Sequence, residues 1–133
     1  MSVSLSWTGE GLAFKGAVDD GAEMVFDSDG VLGPSPTNSL LGSVAACMGI
    51  DVVMILQKSR VPVDALTVQV SGGRAEQPPR KFESMVLTYH IKGPGPEDDE
   101  KIQRAVDLSR DKYCSVLHTL HPDLDLEIRI ERA

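Results

Sequence analysis

The chain has 133 residues, with 20 acidic side chains against 13 basic ones and a formal net charge of -7. This length predicts a single domain spanning residues 1–133, with enough buried surface for a hydrophobic core. Nucleic acids and anionic membrane surfaces bind clustered lysine and arginine, so the acidic balance argues against both as partners.

The N-terminus and the cysteine content indicate the compartment. The opening MSVSLSWTGEG has no basic segment followed by an apolar one, so we expect no signal peptide and a cytoplasmic protein. A structural disulfide is not expected in a reducing compartment. The two cysteines are therefore catalytic, redox-sensing or simply buried.

The first thirty residues predict a three-stranded antiparallel meander. Apolar and polar residues alternate over residues 2–8, a second strand begins near Leu12, and a third covers Glu23 to Asp27. Turn signals separate them at 9–11, at 19–21 and at 28–30.

A long apolar helix is predicted from Pro36 to Arg60. Ser35 is suited to cap it and Pro36 to occupy its first position. No face of the helix is polar, which is typical of a helix buried inside a protein. The apolar run from Leu40 to Leu56 is 17 residues long and contains Asp51, so a core helix is favoured over a membrane span.

The rest of the chain predicts three strands and two helices. The strands cover Leu66 to Val70, Phe82 to Ile91 and Leu124 to Ile130. A helix follows the acidic run 97–100, and a second short helix, capped within 109–111, would carry Cys114 near its N-terminus. That position would lower the pKa of the Cys114 thiol.

The order βββ-α-ββ-αα-β is typical of an α+β protein with antiparallel sheets around a long buried central helix. A helix of about 24 residues is roughly 36 Å long, which exceeds the width of a domain of this size. We therefore expect a homodimer in which the long helices of two chains pack together.

Three residues are the main candidates for chemistry. Cys47 lies in the middle of the apolar helix, where a cysteine is often a small core residue. A second thiol, Cys114, makes a reactive pair more plausible, because reactive thiols often work with a resolving thiol. Asp51 follows Cys47 by one helical turn and is either a paired structural acid or a group that tunes Cys47.

Two histidines near Cys114 leave further alternatives open. His118 could act as a base towards the thiol or could simply be a polar residue near a helix end. Cys114, His118, His121 and Asp123 could form a zinc site and support a metal-dependent hydrolase. Pro122 interrupts this set and the spacing is not that of a standard site, so we expect no metal.

The segments SPTNSLLGSVAACMGIDVVMILQK and RAVDLSRDKYCSV resemble the OsmC/Ohr family of osmotically induced and organic-hydroperoxide-resistance proteins, in particular a short OsmC-like subgroup. The resemblance covers essentially the whole chain. It implies an intertwined α+β homodimer, the OsmC-like fold, with two-cysteine sites at the subunit interface.

The resemblance also implies thiol-dependent reduction of organic hydroperoxides. Cys47 would be the peroxidatic thiol and Cys114 the resolving thiol, with an external dithiol as reductant and no cofactor. The sequence departs from the family's strongly active members, which carry an arginine in the early hairpin and a glutamate at the start of the central helix. Residues 1–34 contain no arginine, and the helix begins Pro36-Thr37-Asn38. A non-catalytic or redox-sensing module that binds a small ligand is therefore the alternative function.

Overall fold

The computed structural model describes residues 1–19 and 21–133. Asp20, within the turn predicted at 19–21, lies outside the described residues.

The predicted order of elements is confirmed. The strands are β1 (Val3–Trp7), β2 (Ala13–Val18), β3 (Glu23–Asp27), β4 (Ala65–Arg74), β5 (Phe82–Lys92) and β6 (Asp125–Arg132). The helices are α1 (Pro36–Lys58), α2 (Asp99–Leu108) and α3 (Ser115–Thr119), with a 3₁₀ turn at Pro96–Asp98 and a π-helical turn at Ser109–Tyr113.

The chain forms two compact units, and the first covers Met1–Leu40. It holds the predicted antiparallel meander β1-β2-β3, in which Val3 lies opposite Val18 and Trp7 lies opposite Phe14. Gly16 on β2 has no room for a side chain, because a Cβ atom there would lie 1.7 Å from the Ser4 carbonyl oxygen. The apolar side chains of β1 are exposed to solvent.

The predicted start of α1 is confirmed. The Ser35 hydroxyl accepts a hydrogen bond from the Asn38 backbone N–H at 3.2 Å, as an N-cap residue does, and Pro36 is the first helical residue. The structure ends the helix at Lys58, two residues before the predicted end.

The second unit, Leu41–Ala133, contains the sheet β4-β5-β6 with β5 in the centre. Strands β4 and β5 are antiparallel as expected, but β6 pairs in parallel with β5, so the prediction of an antiparallel sheet is wrong for this pair. The chain passes through α2 and α3 between β5 and β6, and a connection of that length allows a strand to return in the parallel direction.

The core of the second unit combines one stripe of α1 with one face of β5. Val44, Met48, Val52 and Leu56 recur every four residues along α1, and each is at most 1% exposed. They share a cluster with residues of β5, α2 and the segments that follow α1 and α2, namely Met85, Leu87, Tyr89, Ile91, Ile102, Ala105, Val106, Val61 and Cys114. The predicted core role of α1 is thus confirmed for this stripe.

The opposite side of α1 is uncovered, contrary to the expectation of a helix buried all round. Ile50 is 59% exposed and Met54 is 49% exposed. They line an apolar groove of about 530 Å³ with Gly42, Ala45, Ala46, Gly49, Val53, Leu66 and Val68. By length and composition alone α1 also meets the criteria for a membrane-spanning helix.

Candidate functional site

Helix α1 presents Cys47 and Asp51 on one face. The two residues are four apart, so their side chains lie one above the other on the helix surface. Both are partly buried, beside the stripe that forms the core. The sequence therefore predicted this half of the site from spacing alone.

Cys114 reaches the site through an irregular connection. Helix α2 widens into the π-helical turn Ser109–Tyr113, and the chain then becomes extended at Cys114, with φ -72° and ψ 98°. Cys114 is the N-cap of α3, and its sulfur accepts a hydrogen bond from the Leu117 N–H at 3.3 Å. The predicted helix that includes Cys114 is therefore shorter and begins one residue after it.

The three candidate groups converge. The Sγ atoms of Cys47 and Cys114 and a carboxylate oxygen of Asp51 all lie within 4.8 Å of one another. Both cysteines are free thiols rather than a disulfide. A disulfide would require the two sulfur atoms to approach to about 2.05 Å, and thiol and carboxylate groups are also metal ligands.

Burial raises the pKa of the Cys114 thiol to about 11, since Cys114 is 0% exposed. The Leu117 N–H lowers the pKa, while the neighbouring Cys47 and Asp51 side chains raise it further. The lowered pKa predicted from the helix N-terminus is therefore wrong, because removing the thiolate from water outweighs one N–H donor.

Asp51 has a partner that the sequence did not reveal. The Ser109 hydroxyl donates a hydrogen bond to Asp51 Oδ2 at 2.8 Å, and Ser109 is 0% exposed. A partly buried carboxylate needs a hydrogen-bond donor, so the existence of a donor was predictable from the sequence. The identity of the donor, a residue 58 positions along the chain, was not. Asp51 is thus a paired acid and also a neighbour of both thiols.

Tyr89 lies in β5, within the strand predicted from Phe82 to Ile91, and is a second residue that the sequence did not single out. It is 1% exposed, and its hydroxyl has no hydrogen-bond partner among the described residues. Burial raises the pKa of Tyr89, and the Cys114 and Asp51 charges raise it further, so the phenol lies near the thiol site. The available signal in the sequence was a tyrosine hydroxyl on the apolar face of a predicted strand, where a buried polar group needs a partner.

The histidines do not join the site. The carbonyl of Arg110 accepts a hydrogen bond from His118 Nε2 at 2.8 Å, which occupies that nitrogen as a donor. His121 Nδ1 accepts from the Asp123 N–H at 3.1 Å within an exposed turn. Among residues 1–19 and 21–133, the metal-ligand set that comes together is Cys47, Asp51 and Cys114, and the set of Cys114 with His118, His121 and Asp123 does not form.

A cavity of about 430 Å³ borders the site at Asp51. Its walls combine apolar side chains with two cations, and the lining residues are Asp51, Met54, Ile55, Lys58, Ser59, Arg104, Leu108 and Tyr113. Neither cation forms an ion pair with Asp51 in the described part of the chain, where the six ion pairs involve other carboxylates.

The family model described as OsmC-like protein matches residues 27–129, which include every residue of this site. The chain belongs to the OsmC-like family. It is 38% identical over 117 residues to Protein YhfA of Escherichia coli strain K12, covering 87% of this chain and 86% of that protein.

Solved OsmC-like structures share the fold. The OsmC-like protein from Mycoplasma pneumoniae superimposes with a TM-score of 0.82 at 17% identity, covering 99% of this chain and 96% of that one. An organic hydroperoxide resistance protein from Elizabethkingia anophelis superimposes with a TM-score of 0.67 at 15% identity, covering 100% and 97%. At these identities the similarity establishes the fold, so the predicted OsmC-like α+β fold is confirmed.

Proposed function

We propose that this OsmC-like protein is a thiol peroxidase that reduces organic hydroperoxides with Cys47 and Cys114. The observation that carries the proposal is the convergence of two free thiols, from distant parts of the chain, within 4.8 Å. Two solved structures of the same fold, from Legionella pneumophila and from Elizabethkingia anophelis, are described as organic hydroperoxide resistance proteins. This supports the same class of substrate here.

The unequal burial of the two thiols supports an order of events. Cys47 is partly exposed, so its thiolate attacks the terminal peroxide oxygen, and the O–O bond breaks. The alkoxide leaves with one proton as an alcohol, and Cys47 becomes a sulfenic acid. The buried Cys114 then forms an S–S bond with Cys47 and releases water, and an external dithiol reduces the disulfide by exchange.

The cavity beside Asp51 is the proposed binding site for the organic part of the substrate. Met54, Ile55 and Leu108 offer apolar contacts, and Asp51 links the cavity to the thiols. Small-molecule sites typically combine such an apolar lining with a few polar groups. We propose further that the active protein is a single-domain, cytoplasmic homodimer, with no cofactor and no nucleic-acid or membrane partner.

The experiment follows the thiols of the reduced protein during reaction with cumene hydroperoxide. We expect one intramolecular disulfide per chain, and turnover when a dithiol is supplied. Cys47→Ser should abolish peroxide consumption, whereas Cys114→Ser should react once and accumulate a sulfenic acid. Turnover retained in Cys47→Ser would contradict the proposal, and His118→Ala provides a control near Cys114 that should retain activity.

The second candidate is a redox-sensing or non-catalytic module that binds a small apolar ligand. The observation that favours it is the environment of the thiols, where the carboxylate of Asp51 is a charged neighbour and the pKa of Cys114 is raised to about 11. The non-catalytic form of this candidate predicts thiols that persist for hours in cumene hydroperoxide and a melting temperature that rises with an apolar ligand. Rapid disulfide formation would rule out the non-catalytic form.

A further inference from the structure

We propose that Cys47, Asp51 and Cys114 together bind one Zn²⁺ ion when both thiols are reduced. This is a different ligand set from the histidine-containing one considered from the sequence. Two sulfur atoms and one carboxylate oxygen suit a thiophilic divalent cation, because thiolates select zinc over hard cations such as Mg²⁺. Three protein ligands leave the fourth tetrahedral position to water or a small ligand.

The distances between the donor atoms are compatible with such a site. Zn–S bonds of about 2.3 Å and Zn–O bonds of about 2.0–2.2 Å place the ligand atoms of a tetrahedral ion roughly 3.5–3.8 Å apart. Here all three lie within 4.8 Å of one another, so about 1 Å of movement closes the set. Cys47 is partly buried and projects from the same face of α1 as Asp51, so rotation of the Cys47 side chain supplies that movement.

The carboxylate is already held from outside the ligand set. Ser109 Oγ donates to Asp51 Oδ2 at 2.8 Å, which fixes the carboxylate beside the thiols. Metal ligands are commonly oriented by such outer hydrogen bonds, and losing one typically costs 10–100-fold in metal affinity.

An independent observation also indicates a missing ligand. The Tyr89 hydroxyl is buried and has no hydrogen-bond partner among the described residues. Burial raises its pKa, and the charges of Cys114 and Asp51 act on it and raise the pKa further. A buried unpaired hydroxyl is costly. Neither thiol is a hydrogen-bond partner of this phenol, so the water or small ligand in the fourth position of the ion is the partner that the site would give it.

Zinc binding and thiol oxidation would exclude each other. Binding forms two Zn–S bonds and one Zn–O bond and releases one proton from each thiol, with no electron transfer. The same sulfur electron pairs are needed for attack on a peroxide or for a disulfide. Zn²⁺ would therefore protect the reduced pair and inhibit the proposed peroxidase.

The test uses the full, untagged chain, reduced and kept free of oxygen. Zn²⁺ is titrated against a chromophoric chelator, and Co²⁺ is added separately, because its visible and thiolate charge-transfer bands report tetrahedral sulfur ligation. We expect one ion per chain, and a dissociation constant at least tenfold larger in Cys47→Ser and in Asp51→Asn. His121→Ala is the matched control, since it removes an exposed histidine outside the site and should bind as tightly as the native chain.

A second readout measures the thiols directly. One equivalent of Zn²⁺ should slow alkylation of Cys47 by iodoacetamide at least tenfold. Any one of three results would overturn the metal site. These are the absence of a Co²⁺–thiolate band, a Zn²⁺ affinity that is unchanged in Cys47→Ser, and an alkylation rate that Zn²⁺ does not change. Neither readout uses a peroxide. Thiols that do not react with hydroperoxides would contradict the peroxidase proposal but not the zinc-site proposal.

Discussion

The thiol of Cys114 is buried, whereas that of Cys47 is partly exposed. The burial of Cys114 makes the stability of the reduced protein depend on pH. The fold raises the pKa of Cys114 from its ordinary value of 9.0 to about 11. Below pH 9 the thiol is protonated in both the folded and the unfolded chain. Between these values the unfolded chain loses the proton while the folded chain retains it, so the free energy of unfolding falls as the pH rises.

We therefore expect reduced protein to lose stability between about pH 9 and about pH 11. The measurement is urea denaturation of the reduced chain at several pH values in this window. Cys114→Ala removes the titrating group and should give a shallower decline, whatever its absolute stability. Because the pKa of Tyr89 is also raised, the comparison is best made in a Tyr89→Phe background. Equal slopes with and without Cys114 would contradict the assignment.

Tyr89 gives a second prediction at the scale of one residue. Its buried hydroxyl lacks a partner among the described residues, and an unsatisfied buried hydroxyl costs about 1–3 kcal/mol. Tyr89→Phe should therefore stabilise the reduced, metal-free protein by about 1 kcal/mol in urea denaturation. Tyr113→Phe is the matched control, because Tyr113 is 49% exposed and no change is expected at such a position. Destabilisation by Tyr89→Phe would mean that the hydroxyl is bonded in solution.

At the scale of single elements, the start of α1 depends on one hydroxyl. Ser35 Oγ accepts from the Asn38 N–H, and loss of an N-cap typically costs about 1 kcal/mol. Ser35→Ala should lower the free energy of unfolding by that amount in urea denaturation. Ser35→Asp should restore it, because a carboxylate caps equally well and is favoured by the helix dipole. A Ser35→Ala chain as stable as the native one would show that the cap contributes nothing.

The elements also separate what the sequence predicted from what it could not. Alternating strands, the α1 stripe and the pairing of Cys47 with Asp51 follow from periods of two and of 3.6 residues. The alternation in β6 is the same whether the strand runs parallel or antiparallel, so its direction was not available from the pattern. The π-helical turn Ser109–Tyr113 has no periodic signal either, yet it positions Ser109 and Cys114. The contacts of those two residues with α1 are long-range and required the fold.

At the scale of the whole molecule, apolar surface is left uncovered in both units. In the first unit Val3, Leu5 and Trp7 of β1 are 50%, 39% and 59% exposed. In the second, the groove along α1 exposes Ile50 and Met54. Contiguous apolar patches of this kind usually mark interaction sites. Helix α1, with 23 residues and a length of about 35 Å, is also the element whose size first indicated a second chain.

We therefore expect the purified protein to sediment as a dimer, with the α1 groove in the interface. Ile50→Glu would place an unpaired charge in that contact. A buried unpaired charge costs about 3 kcal/mol or more, so the dimer dissociation constant should rise about a hundredfold or more. Analytical ultracentrifugation over a range of concentrations measures this change. Gln77→Glu adds the same charge at an exposed position between β4 and β5, away from α1, and should leave the dimer intact. Because Ile50 is already 59% exposed in one chain, the Ile50→Glu protomer should keep its circular dichroism spectrum. A native chain that sediments as a monomer, or an Ile50→Glu dimer as tight as the native one, would show that the groove is not where the chains meet.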